Sequence, residues 1–193
     1  MMIIGARKGI ILPRQRASGI IAGTRIGSSA PPSVFTPAQF KSMSYVEYGS
    51  RTNTTVPAPA GLADNDIIIA ASFSADVGTA PDIGLPSGFV VKDTNTSVTD
   101  SGNFNAKLGI SWKRASSEGL EYLFTHSSAS SQICLIAISD AVLTGDPIAA
   151  ISRNQGSGED IIALSIDTTE ADQLVLNCAH NWSGASLSFP AVS

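Results

Sequence analysis

Two short runs, IIIAASF at residues 67–73 and QICLIAIS at residues 132–139, decide the fold that the sequence predicts. Both are apolar over nearly their whole length and do not alternate polar with apolar positions. A strand with one face in water reads as an alternation, whereas a strand buried on both faces reads as a continuous apolar run. We therefore expect both runs to be central strands of a sheet that is covered on each side.

Further runs of β-forming residues lie on either side of these two, bounded by turn residues and repeating at roughly 10–15-residue intervals. They are residues 44–50, 89–94, 106–115, 119–127, 147–152, 160–166 and 173–182. No amphipathic helix is predicted between them. Regular short strands without intervening helices predict an all-β fold, an antiparallel β-sandwich of the jelly-roll kind over residues 42–193.

The run AKLGISWKRA at residues 106–115 shows the clearest alternation. Leu108, Ile110 and Trp112 share one face, so Trp112 is expected in the core. The other face carries Gly109 with Lys107, Ser111 and Lys113, and the alternation predicts that this face meets water.

Residues 1–41 differ in composition from the rest of the chain, because glycine and proline recur too often for a helix or a long strand. We expect an extended N-terminal arm. Residues 1–51 hold seven basic residues against Glu47, a net charge of +6, whereas the remainder carries a net charge of −10. These opposite net charges within one chain predict that the basic segment has a binding partner. The arm residues expected to bind it are Arg7, Lys8, Ile10, Ile11, Arg14, Arg16, Ile20, Ile21 and Arg25.

The arm is expected to order only on a partner surface, because fixing its backbone costs more than its own apolar residues gain by burial. Strand addition to a partner would supply the missing free energy. The isoleucines would then lie in pockets of the partner and the arginines would bind its carboxylates. The alternatives are DNA, disfavoured because no aromatic residue precedes Phe35, and a disordered tail without a role.

No run has the length of a signal-peptide core or a membrane helix. We therefore expect no membrane association and no export, and we expect Cys134 and Cys178 to be reduced and buried rather than joined in a disulfide.

The residue patterns of an enzyme are missing from the sequence. His126 and His180, each placed at a strand end, lack the spacing of a metal site, and no G-x-S-x-G elbow or phosphate-binding glycine loop occurs. Residues 93–103 offer oxygen ligands but not the EF-hand pattern. Glu121 reads as a solvent-facing strand residue. We expect no catalytic residues, no metal and no cofactor, and we take Trp182 as the candidate contact for a glycan.

Three segments resemble a β-sandwich module of bacteriophage virion proteins and related bacterial surface proteins. They are TTVPAPAGLADNDIIIAASF at 54–73, LPSGFVVKDT at 85–94 and KLGISWKRASSEGLEYLFTHSSASSQICLIAISDA at 107–141. Their common order is a Pro-Ala-Gly turn, an apolar strand, a Pro-x-Gly-Phe turn, a tryptophan strand, and a serine-rich turn before a second apolar strand. In such modules further strands follow, so the last strands are either missing here or the sandwich is shorter.

The resemblance implies a structural component of the virion, a fibre, spike or decoration protein that forms a homo-oligomer, with a trimer favoured. Its arm would bind other virion proteins of the tail, portal or capsid. The alternative is a carbohydrate-binding module of a phage tail or bacterial surface protein, with a host surface glycan as its ligand. A glycan hydrolase ranks third.

Overall fold

The computed structural model describes residues 3–10, 38–96, 104–141, 144–151 and 174–179. These residues form seven β-strands and no helix, so none of them lies in a helix of the length and apolarity that crosses a bilayer. The strands are β1 (Ile3–Ile10), β2 (Gln39–Pro57), β3 (Ile67–Val77), β4 (Val90–Thr96), β5 (Phe104–Arg114), β6 (Glu121–Ser139) and β7 (Leu174–Ala179). The prediction of an all-β fold is confirmed for this part of the chain.

Five of the strands form one antiparallel sheet in the order β2-β6-β3-β5-β4, and β1 pairs with β7 in a separate antiparallel pair. β3 is therefore the middle strand, and β6 lies beside it. Every residue from Ile67 to Ala75 is buried, as is every residue from Ser131 to Ile138. The expectation that these two runs are central and covered on both faces is confirmed.

The two faces of the sheet carry two separate cores. The front core contains Val56, Ile68, Ala70, Ala115, Tyr122, Phe124, Ile133 and Leu135. The back core contains Ile67, Ile69, Cys134, Ile136, Ile138, Ala141, Ile148 and Leu174. Cys134 is fully buried, as expected, and Trp112 packs against the back core as its alternation predicted.

Different elements cover the two cores. The front core is covered by the connections around the sheet, which contribute Leu62, Ile83, Leu85 and Phe89. The back core is covered by Ile148 and Ile151 and by β7, whose Leu174 and Leu176 pack against it. The sandwich and its jelly-roll form both stay predictions.

The prediction of a serine-rich turn at residues 127–131 is wrong, because β6 continues through these residues without a break. β2 also passes the expected turn residues at its end and reaches Pro57. The two strands pair along almost their whole lengths, and Ser50 Oγ lies 2.6 Å from Ser128 Oγ across the pair. Cross-strand pairing over this length outweighs the turn preference of serine.

A bulge in β6 changes which side chains face the front. Between the pair Tyr48–Ser131 and the pair Asn53–Thr125, β6 uses one residue more than β2. An extra residue reverses the alternation of the strand beyond it. Phe124 and Ile133, which a regular strand would place on opposite faces, therefore both lie in the front core.

Three other predicted strands have different outcomes. Residues 147–151 are not a strand, since Pro147 has no N–H for a ladder and the Ile148 N–H donates to Asp146 Oδ1. The predicted strand at 160–166 lies outside the described residues. β7 falls within the predicted run 173–182.

Candidate functional site

A groove on the front face, between the connection 78–89 and strands β3, β5 and β4, is a candidate site in the described part of the chain. Its volume is about 250 Å³. Ser72 and Ser74 of β3 line it, together with Gly109 and Ser111 of β5. The register sets Ser72 directly opposite Gly109, so these small residues lie side by side on one face. We call this site the serine groove.

The groove exists because its floor has almost no side-chain volume. A Cβ placed on Gly109 would lie 2.8 Å from Ser72 Oγ, closer than real Cβ contacts allow. At this point the sheet face is therefore bare backbone and hydroxyl groups. Larger residues on the opposite positions of β5, such as Trp112, face the back core instead.

The wall of the groove is the connection from β3 to β4, which crosses the front face. Gly84 anchors it to the free edge of β6 through two backbone hydrogen bonds with Thr125, of 2.6 and 3.0 Å. A Cβ at Gly84 would collide with the Thr125 hydroxyl, so this close approach requires glycine. Ile83 and Leu85 on either side line the groove.

The three serines of the groove differ in their hydrogen bonds. Ser74 Oγ donates to the Pro81 carbonyl over 2.6 Å, and Ser72 Oγ donates to the Gly109 carbonyl over 3.3 Å. Ser111 is 3% exposed, and its Oγ has no hydrogen-bond partner. A buried hydroxyl without a partner is unfavourable by about 1–3 kcal/mol. It therefore marks a position where the protein alone leaves a polar group unsatisfied.

Charged groups of both signs lie at the groove. Lys107 Nζ lies 2.8 Å from Asp82 Oδ1, and Asp82 is largely exposed. Asp93 of β4 also lines the groove. The lining thus holds two carboxylates and one ammonium group.

A second polar cluster lies at the connection from β5 to β6. Lys113 Nζ lies 2.7 Å from Glu118 Oε2, and the Tyr122 hydroxyl donates to the same oxygen over 2.9 Å. Burial acts to raise the pKa of Glu118, but hydrogen bonds from Lys113, the Ser116 N–H and Tyr122 lower this pKa below its ordinary value. Burial and the adjacent carboxylate raise the pKa of Tyr122. Both shifts move away from neutral pH, which suits a structural contact rather than acid–base catalysis.

A third cluster, the hydroxyl chain of Thr54, His126 and Ser131, lies next to the bulge. His126 Nδ1 is 2.9 Å from the Ser127 carbonyl, which can only accept, so Nδ1 carries the proton. Nε2 then accepts from Thr54 Oγ1 over 2.9 Å, and Thr54 Oγ1 accepts from Ser131 Oγ over 2.6 Å.

The hydroxyl chain has the contacts of a nucleophile beside a base, but its burial assigns it to the core. Thr54 and Ser131 have no exposed surface, and His126 is buried as well. The expectation that His126 ends a strand is wrong, since it lies within β6. The hydroxyl chain provides hydrogen bonds for polar side chains that lie in the protein interior next to the bulge.

The predicted arm residues are only partly within the described structure. Arg7, Lys8 and Ile10 lie on β1, which pairs with β7 in the same chain, Arg7 opposite Val175. The remaining predicted contacts lie outside the described residues; they are Ile11, Arg14, Arg16, Ile20, Ile21, Arg25 and Trp182. β2 begins at Gln39, within the last residues assigned to the arm, and the extent of the arm stays a prediction.

The serine groove was not among the predicted sites. The alternation of β5 correctly placed Lys107, Gly109 and Ser111 on one face, but the prediction that Ser111 meets water is wrong. The connection 78–89 folds over that face, and no local pattern in β5 reports it. The pairing of a strand glycine with neighbouring serines was the available signal.

No family model, no curated protein and no solved structure matches the chain. Within residues 38–96, 104–141 and 144–151, no three histidine, cysteine or acidic side chains come close enough to hold a metal ion. The site is therefore interpreted from its geometry and chemistry.

Proposed function

We propose that the protein is a non-enzymatic structural component of a bacteriophage virion, a fibre, spike or decoration protein that forms a homo-oligomer. One observation carries this proposal. The three segments that resemble phage β-modules fall on β2 to β6, the strands of one continuous sheet. Of β2 only residues 54–57 belong to these segments, so the likeness covers most of the strands β3 to β6 rather than the whole sheet.

The anchoring role is assigned to the part of the arm that follows β1. β1 already has a strand partner in β7, so its backbone groups pair within the chain. The basic residues Arg14, Arg16 and Arg25 then remain to bind carboxylates on another virion protein. Proteins of the tail, portal or capsid are the proposed partners, and nucleic acid is not.

The edges of the five-stranded sheet support self-assembly. β4 forms one edge and carries the exposed residues Val90 and Val91, whereas β2 forms the other and carries exposed Phe40 and Met43. Exposed apolar edge strands tend to aggregate unless they are covered. A closed symmetric oligomer, with a trimer favoured, would cover them.

The anchor is tested in the full chain by replacing Arg14, Arg16 and Arg25 with alanine and measuring incorporation into assembled particles. We expect a folded protein that fails to join the particle. The matched control replaces Arg51, Lys92 and Arg114, which removes the same charge from the sheet. Normal incorporation of the arm variant, or equal loss in the control, would contradict the anchor.

A carbohydrate-binding module is the second candidate function, favoured by the serine groove. Hydroxyl groups and carboxylates over an apolar wall match the hydrogen-bonding and C–H faces of a sugar. This candidate also requires no hydrolysis. Turnover of a capsular or lipopolysaccharide substrate that disappears in Glu121→Gln would contradict both candidates.

A further inference from the structure

We propose that an exposed edge of β6 binds the basic arm of a second copy of the chain by strand addition. This edge lies at residues 121–123, on the side of β6 that faces away from β2, and we call it the open edge. The inference rests on the homo-oligomer of the proposed function and names the two surfaces that meet in it. It requires no contact with tail, portal or capsid proteins.

The open edge lies beyond the end of the ladder between β6 and β3. That ladder ends at Ser130. Further along β6, Thr125 exchanges both backbone hydrogen bonds with Gly84, so its N–H and C=O point away from β2. Residues two apart in a strand direct these groups to the same side, so the N–H and C=O of Leu123 and Glu121 also point away from β2.

The backbone groups of the open edge have no strand partner in the described part of the chain. The connection 78–89 does not continue the ladder past Gly84, because Pro86, the residue that would come opposite Leu123, has no N–H to donate. The open edge therefore offers unpaired donors and acceptors in the geometry that accepts an additional strand.

The side chains of the open edge set the chemistry of its occupant. Leu123 is 51% exposed, and Leu120, just before the edge, is 91% exposed. Glu121 lies between these leucines, is exposed, and forms no ion pair with a described residue. An extended segment with both apolar and basic residues would cover the leucines and neutralise the carboxylate.

The arm contains such a segment at residues 14–30, which lie outside the described residues. Its sequence, RQRASGIIAGTRIGSSA, has three arginines, three isoleucines and no acidic residue. It also has no proline, because Pro13 and Pro31 lie on either side of it, so each of its residues can donate an N–H to a partner strand. Charge and backbone both suit the open edge.

Chain length favours a second copy over the same chain as the source of this segment. Gln39 pairs with Ser139, and Leu123 lies about 50 Å further along β6 at the rise of a strand. Spanning that distance takes about 15 fully extended residues. The other end of the segment is also held, since Ile10 pairs with Leu174 of the back core. The arm of a second copy is not stretched in this way.

The test uses two complementary full-length variants, each sedimented alone and in an equimolar mixture. Leu123→Pro removes an N–H that points away from β2, so it blocks strand addition but keeps the ladder with β2. The second variant replaces Arg14, Arg16 and Arg25 with alanine and leaves the open edge intact. We expect the dissociation constant of self-association to rise at least about tenfold in each variant. The mixture should form a heterodimer, because it restores one intact junction.

Matched controls separate docking from folding. Leu123→Ala removes the same side chain but keeps the N–H, so it should self-associate more tightly than Leu123→Pro. Glu121→Lys should weaken self-association, whereas Asp76→Lys makes the same change in charge at the end of β3 and should not. Glu121→Lys keeps every backbone group, so it takes the place of Leu123→Pro in the mixture if that variant fails to fold.

Three results would overturn the inference. A wild-type chain that stays monomeric would show that no such junction forms. Self-association that persists unchanged in Leu123→Pro would place the oligomer interface elsewhere. A mixture of folded variants without a heterodimer would mean that the arm binds its own chain or another protein. The virion role is tested separately by particle incorporation, so it can stand when this inference fails.

Discussion

The two halves of β6 have the same secondary structure but different surroundings, and the difference shows what holds this sheet together. Residues 131–138 pair with β2 on one side and β3 on the other, and both of their faces are buried. Residues 121–126 pair with β2 and alternate between buried and exposed positions. The first half is the centre of the fold, whereas the second is a one-sided extension stabilised by the front core alone.

Leu135 and Leu123 test this comparison most strongly, since the same residue type lies in each half. Leu135 has no exposed surface, whereas Leu123 is 51% exposed. Leu135→Ala should reduce the free energy of unfolding by about 3 kcal/mol, because it leaves a cavity in a packed core. Leu123→Ala should change it by less than about 0.5 kcal/mol. Chemical denaturation measures both, and equal effects would mean that the two halves are covered alike.

The hydroxyl chain at the junction of the halves should give the next largest effect. Thr54→Val keeps the shape of the side chain but leaves His126 Nε2 and Ser131 without their shared partner. We expect a loss of about 2 kcal/mol. Thr55→Val on the same strand is the control and should be close to neutral. If both variants unfold at the same denaturant concentration, the hydroxyl chain does not stabilise the bulge.

Cys134 probes the back face of the central half. It is fully buried, so Cys134→Ala should cost about 1 kcal/mol as a small cavity. In a Cys178→Ser background, a thiol reagent should label Cys134 only at the rate of unfolding. Rapid labelling of the native protein would show that the back core opens at this strand.

The smallest expected effect is a pH dependence at Glu118, beside the one-sided half. The pKa of Glu118 is lowered in the folded state, so its contribution is fully present above the ordinary value of 4.5. This contribution is lost as the pH falls through the lower folded pKa. Glu118→Gln should therefore be less stable by about 1 kcal/mol at neutral pH, and the difference should shrink in acid.

Glu121→Gln is the control for this experiment, because it removes the same charge from an exposed position of β6. Thermal melts of the three proteins between neutral and acid pH provide the measurement. A difference between Glu118→Gln and the wild type that does not change with pH would contradict the role of the ionised carboxylate.

Much of the central half could be predicted from local pattern. The runs at 67–73 and 132–139 are apolar on both faces, and only a doubly covered strand makes use of that composition. The alternation at 106–114 placed Trp112 toward a core for the same reason. The periodicity of apolar residues decides whether a segment is a strand and which face each side chain occupies. This periodicity can be read from each segment alone.

The one-sided half and the serine groove could not be predicted in this way. The serines at 127–131 favour a turn by local preference, but pairing with a long β2 holds them in a strand. Ser111 has the pattern of an exposed residue, yet the connection 78–89 covers it. Both outcomes depend on residues distant in sequence.

The sequence by itself determined the all-β class, the two central strands and the burial of Cys134, because each follows from side-chain chemistry repeated at the period of a strand. Tertiary structure alone decided the strand order, the reversal of faces at the β6 bulge, the buried hydroxyl chain and the unpartnered Ser111. These features arise where segments distant in sequence pack against each other. Such contacts leave no trace in the local composition of either segment.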